Sequence, residues 1–150
     1  MDGPYKGRSP EKTVDQLVTS MFKLDADGII DTFPKEAVNK LKEEGNWDDE
    51  YDDLVSGIES IAQSVGEYVD LEKMCSYKIT ETKDATEDEI AEIQEDYDDE
   101  GIDVKIKDAK IMTVELTINI PIYGSETDSE DIVVIKIGNS WYIDPMNFSL

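Results

Sequence analysis

The apolar positions of this chain change their period along its length, and the changes divide it into helical and extended stretches. Ser9-Pro10-Glu11 reads as a helix start, because a serine hydroxyl accepts from a free backbone N–H and proline at the first helical position leaves no N–H unpaired. Val14, Leu17, Val18 and Met21 then fall on one face. Asp25-Ala26-Asp27-Gly28 breaks that helix and starts a short second one ending before Pro34, and Pro34 opens a third, with Val38 and Leu41, up to Gly45. The most regular stripe runs from Trp47 to Val65 through Tyr51, Leu54, Val55, Ile58, Ile61 and Ala62. Asp48, Asp49 and Glu50 complement the helix dipole in its first turn, and Gly66 is its expected stop.

From Leu71 the period becomes two. Leu71, Cys75, Tyr77 and Ile79 share one face of a predicted strand and Glu72, Ser76, Lys78 and Thr80 the other. Lys73 falls on the apolar phase, where its stem is expected to run past the strand edge and carry the ammonium to water. Thr86-Glu87-Asp88-Glu89 matches a capping box ahead of a thin stripe of Ile90, Ile93 and Tyr97, which ends at Gly101. Val104 to Ile122 alternates through Met112, Val114, Leu116, Ile118 and Ile120, but is too long for one flat strand. A bend or bulge is predicted near Asp108-Ala109-Lys110. A polar turn is expected over Gly124 to Glu130, then a strand over Ile132 to Ile137, a turn at Gly138-Asn139-Ser140 and a last strand through Trp141, Tyr142 and Ile143. The whole reads as α+β: N-terminal helices packed on a curved antiparallel sheet, with one further helix between the first and second strands. Residues 1–8 read as a flexible spacer and 9–150 as one domain.

Charge removes whole classes of partner. The chain of 150 residues has 37 Asp and Glu against 14 Lys and Arg, a formal net charge of -23. Nucleic-acid binding needs Lys and Arg to neutralise phosphates, and there is no basic stripe to do so; an anionic membrane surface is disfavoured for the same reason. With 39% hydrophobic residues in periodic clusters, the chain still has material for a core. The acid-rich stretches 43–72 and 84–103 read as solvated helix faces. No stretch approaches the ~18 apolar residues of a membrane helix, and the opening residues lack the apolar core of a signal peptide. The chain reads as soluble, and its opening spacer is compatible with an export signal removed ahead of it.

Chemistry is restricted as strongly as partners are. The chain has no histidine, which excludes Ser-His-Asp and Cys-His nucleophilic machinery, histidine general bases and histidine-containing zinc sites. Cys75 is the one cysteine, so there is neither an intrachain disulfide nor a thiolate cage. No GxSxG elbow, P-loop or GxGxxG is present. The sharpest positive motif, Lys23 to Asp31, overlays a calcium loop through Asp25, Asp27, Gly28, Ile30 and Asp31. It fails at both ends, with Lys23 where a carboxylate is needed and Pro34 in place of the bidentate glutamate. A helix-capping turn, with Asp25 accepting from free N–H groups, is the expectation there, and no metal or cofactor is expected. Trp47, Tyr51, Tyr77 and Trp141 are the candidate ligand-binding residues, since aromatic walls with a few hydroxyls suit small molecules. Trp141, with Ile143 on the same strand face, also has the position of a core residue.

Helices followed by an antiparallel meander that ends in Gly138-Asn139-Ser140-Trp141-Tyr142-Ile143-Asp144, together with the turn Phe22 to Ile30 and the segment Tyr97 to Val104 leading into the long strand, resemble the nuclear-transport-factor-2-like (cystatin-like) fold. In particular, the chain resembles uncharacterised extracytoplasmic lipoprotein domains of Gram-positive bacteria. That resemblance implies a cone-like sheet able to hold a ligand against the helices, and a lipid-anchored, exported protein. It also implies a non-enzymatic domain that binds a small molecule or protein, or serves a structural part, with a second copy of the chain pairing through the sheet as one such partner. The alternative it allows is a small isomerase or dehydratase with an Asp or Glu base assisted by tyrosine.

Overall fold

The computed structural model describes residues 8–65, 70–120 and 122–148. Its elements run α1 (Pro10–Phe22), α2 (Ala26–Ile30), α3 (Lys35–Glu43), α4 (Trp47–Val65), α5 (Leu71–Met74), β1 (Cys75–Asp84), α6 (Glu87–Asp99), β2 (Asp108–Ile120), β3 (Gly124–Ile137), β4 (Ser140–Ile143) and a 3-10 turn, Pro145–Asn147. The fold is α+β, with helices preceding a four-stranded antiparallel sheet of order β1-β2-β3-β4 and one helix between β1 and β2.

Local chemistry sets the helix ends. The Ser9 side chain accepts from Lys12 N with Pro10 in the first turn, Asp25 accepts from Gly28 N, and Thr86 and Glu89 form both bonds of the capping box. Gly45 and Gly101 follow α3 and α6 with φ of +76° and +73°, a region costly for other residues. The expected stop of α4 at Gly66 lies outside the described residues.

Two cores sit on opposite faces of the sheet, as the two-residue period requires. Met112, Val114, Ile132, Val134, Trp141 and Ile143 point to one face, where they meet Val14, Leu17 and Val18 of α1, Ile29 of α2 and Ile58 of α4. Ala109 and Ile135, which pair in the ladder, point to the other and meet Ile93 and Tyr97 of α6, Ala37 of α3, and Ile102 and Ile106. The helix lying directly on β4 is α1: the Thr13 hydroxyl donates to the Trp141 carbonyl at 2.8 Å. Among the described side chains of the α4 stripe, Ile58 and Leu54 reach the same core, while Trp47 and Tyr51 of its N-terminal half face a cleft.

Residues 1–7 of the expected spacer lie outside the described residues, whereas Arg8, its last residue, is held firmly. Its backbone N–H donates to Ser140 Oγ and its carbonyl accepts from Trp141 N. Its guanidinium donates to Gln16 and to the Asp31 carbonyl and lies 5.4 Å from the Tyr142 ring centroid.

Three boundaries differ from the periodicity. Leu71 does not begin the strand: Asp70 accepts from Glu72 N through its side chain and from Lys73 N and Met74 N through its carbonyl, winding 71–74 into a helical turn and leaving Lys73 exposed on it. The expected irregularity at 108–110 is absent, since β2 pairs with β3 without interruption from Asp108 to Ile120; the register shift lies in β1 instead, between Ile79 and Glu81. The expected polar turn over Gly124 to Glu130 is strand. Backbone ladder bonds are indifferent to side-chain polarity, and here cross-strand polar pairs reinforce them: Thr117 with Thr127, Thr113 with Asp131 and Asn119 with Ser125. The described turn residues are Ile122, which has φ of +79° and is fully exposed, and the exposed Tyr123.

Candidate functional site: a cleft between helices

The α3–α4 hairpin does not close fully onto the rest of the molecule. Between α2, α3, α4 and the segment after β4 lies a cleft of about 320 Å³, at the lower end of the size range of small-molecule sites. Two aromatic pairs line it. Phe33 and Phe148 approach to 5.9 Å between ring centroids with their planes at 60°, and Trp47 and Tyr51, one turn apart on α4, approach to 6.0 Å at 48°. Leu41 of α3 and Leu54 of α4 add aliphatic surface. Among the described residues the charged members of the lining are two carboxylates, Glu50 and Asp53, exposed on α4.

Helical spacing explains this composition. Trp47, Tyr51 and Leu54 recur at intervals of four and three residues, and Glu50 and Asp53 flank them, so one face of α4 carries both the apolar wall and its acidic edge. The Tyr51 hydroxyl donates to Asp27 of α2 at 3.3 Å, which joins the two helices beside the cleft. The Asp27 charge, more than the slight loss of water, raises the Tyr51 pKa and keeps the hydroxyl a donor. The Lys42 ammonium lies 5.3 Å from the Trp47 ring centroid.

The four sequence-predicted aromatics occupy three different places. Trp47 and Tyr51 line the cleft together. Tyr77 is half-buried on β1, packs against the core under α1 and donates to Asp15; burial first, and that aspartate second, push its pKa up to about 12. Trp141 is 8% exposed and belongs to the core. Phe33 and Phe148 were not legible as site residues, since one sits in a turn before Pro34 and the other beyond the last strand, where no period applies.

The Asp25-Ala26-Asp27-Gly28 turn is occupied by protein partners. Asp25 caps α2, Asp27 accepts from Tyr51, and Asp31 accepts from Gln16 at 2.9 Å. Among the described residues no group of three or more Cys, Asp and Glu side chains is placed to hold a metal ion. A further carboxylate, Asp144, is 1% exposed and accepts from the Tyr97 hydroxyl at 3.0 Å, Met146 N at 3.1 Å and Asn147 Nδ2 at 2.6 Å. Tyr97 is itself fully buried, and burial with the adjacent Asp144 charge raises its pKa far above the ordinary value. Neither residue lines the cleft, so this pair ties α6 to the end of β4 and has no access to a ligand there. No described helix is long and apolar enough to cross a membrane.

Comparison with family models, with curated proteins and with solved structures finds no match. The cleft therefore has to be read from its own chemistry.

Proposed function

We propose that this protein is a non-enzymatic binding domain whose ligand site is the cleft between α3 and α4. The observation that carries this reading is the meeting of Phe33, Phe148, Trp47 and Tyr51 around one open volume, drawn from the turn before α3, from α4 and from the segment after β4. A partly open aromatic cavity retains unsatisfied apolar surface that a ligand can cover. Titration with a neutral fluorescent hydrophobe such as Nile red tests it. Saturable binding is expected, and it should be lost in Leu54→Trp, which fills the cleft; a wild-type protein without saturable binding refutes the assignment.

A second reading, a small isomerase or dehydratase, draws on the Tyr51 and Asp27 pair at 3.3 Å. Its weakness is that Asp27 is exposed, so water would compete for any proton it moved. Stereospecific exchange of a substrate proton that Tyr51→Phe abolishes would favour it over simple binding.

The sequence resemblance to extracytoplasmic lipoprotein domains extends the proposal to location: an exported domain tethered to the outer face of a Gram-positive membrane. A charge of -23 suits a tethered domain held off an anionic surface. Protease accessibility on intact cells of the source organism tests this, and protection of the domain until lysis refutes it.

A further inference from the structure

We propose that the cleft selects an organic cation: an ammonium or guanidinium group carried on an aromatic or aliphatic body of about ten heavy atoms. The inference rests on the cleft being a ligand site, and adds the sign of the ligand's charge.

Three observations point the same way. The charged side chains of the lining are Glu50 and Asp53, three residues apart on one face of α4, and no Lys or Arg stands among the described residues that form the walls. A ligand body seated against Trp47 and Leu54 therefore has carboxylates at its polar end. The Trp47 ring already receives a cation, with the Lys42 ammonium 5.3 Å from its centroid, so its face is presented in a geometry that a positive group occupies. The surrounding field has one sign as well: at -23 the protein draws cations toward its surface and repels anions of the same shape.

The volume decides between a small molecule and a protein segment. A groove for a partner helix must take anchors spaced over two or more turns, whereas 320 Å³ holds about one aromatic group with a short chain. The arrangement thus suits a single amine-bearing molecule, its body between the two aromatic pairs and its charge at Glu50 and Asp53.

The test uses three probes that share one body: phenethylamine, 2-phenylethanol and 3-phenylpropionate, titrated at low salt while the indole N–H resonance of Trp47 is followed by NMR. Phenethylamine should bind most tightly and 3-phenylpropionate most weakly, roughly tenfold or more apart, the scale expected for two carboxylates near a partly solvated charge. The exposed double variant Glu50→Gln/Asp53→Asn should bring phenethylamine down to the affinity of the alcohol and leave the alcohol unchanged. Leu54→Trp, which fills the cleft and keeps both carboxylates, should abolish binding of both. Equal binding of alcohol and amine at Trp47 would overturn the cation proposal while leaving the ligand cleft standing. Amine binding that survives Leu54→Trp would also overturn it, because charge alone would then hold the ligand. If none of the three probes moves Trp47, the cleft assignment fails together with this one.

Discussion

Replacing Trp141 with alanine empties a site that the sheet, α1 and β2 build together. The indole is 8% exposed and sits in the core with Val14, Leu17 and Ile143, and the Lys110 ammonium lies 5.7 Å from its ring centroid. A buried tryptophan removes roughly 150–250 Å² from water, which at about 25 cal/mol per Å² sets an upper estimate of ~4–6 kcal/mol. Truncations of buried aromatic residues usually cost ~3–5 kcal/mol once the walls of the cavity relax. Tyr142 follows in sequence but faces the other side, half-buried against the α6 core and under the Arg8 guanidinium. Its loss forfeits part of one side chain's burial, about 1–2 kcal/mol. Urea unfolding followed by far-UV circular dichroism separates the two, because neither variant changes the secondary structure that gives the signal. A shift in midpoint with unchanged slope reads as lost stability. A protein with ~5–15 kcal/mol in hand remains folded in the absence of denaturant in both cases. A loss below about 1.5 kcal/mol for Trp141→Ala, or equal losses for the two, would refute the assignment of opposite faces to opposite cores.

Asp144→Ala should cost more than Tyr97→Phe, about 2–4 against ~1–2 kcal/mol, because the first strands three buried or half-buried donors while the second removes one bond and leaves Asp144 two others; the reverse order in thermal or urea unfolding would contradict the capping role given to Asp144. Stability should fall as the pH rises from 10 to 12: the unfolded chain loses the Tyr77 proton near the ordinary value of 10.0, while the folded chain holds it up to about 12, so the stability present below pH 10 is lost across that window. Tyr97 acts in the same direction, and Tyr77→Phe should flatten the decline without removing it; an unaltered profile would show that Tyr77 is neither buried on β1 nor bonded to Asp15 in solution. Gly28→Ala should destabilise by ~1–3 kcal/mol, since the added methyl overlaps Ser20 Oγ and comes within 2.7 Å of Asp25 Oδ2. Ser20→Gly in the same chain should recover part of that loss, and a neutral Gly28→Ala would mean that α1 and α2 are less closely packed than described.

Sequence alone determined what depends on neighbours within about four residues. The caps at Ser9, Asp25 and Thr86, the glycine stops at Gly45 and Gly101, the helical stripes and the two-residue phase of Cys75, Tyr77 and Ile79 are local, because a cap or a helical bond is closed by residues a turn away. Tertiary structure decided whatever needed a partner from elsewhere. Residues 124–130 look like a turn by composition and become strand because β2 offers a ladder to pair with. The α4 stripe reads as one core face, yet packing divides it, sending Ile58 to the sheet and Trp47 and Tyr51 to a cleft. That cleft exists because Phe148, from beyond the last strand, comes to rest beside Phe33, and no rule of spacing connects two residues more than a hundred positions apart. Periodicity tells a side chain that it will leave water; the fold alone decides whether it meets a filled core or a space that another molecule can enter.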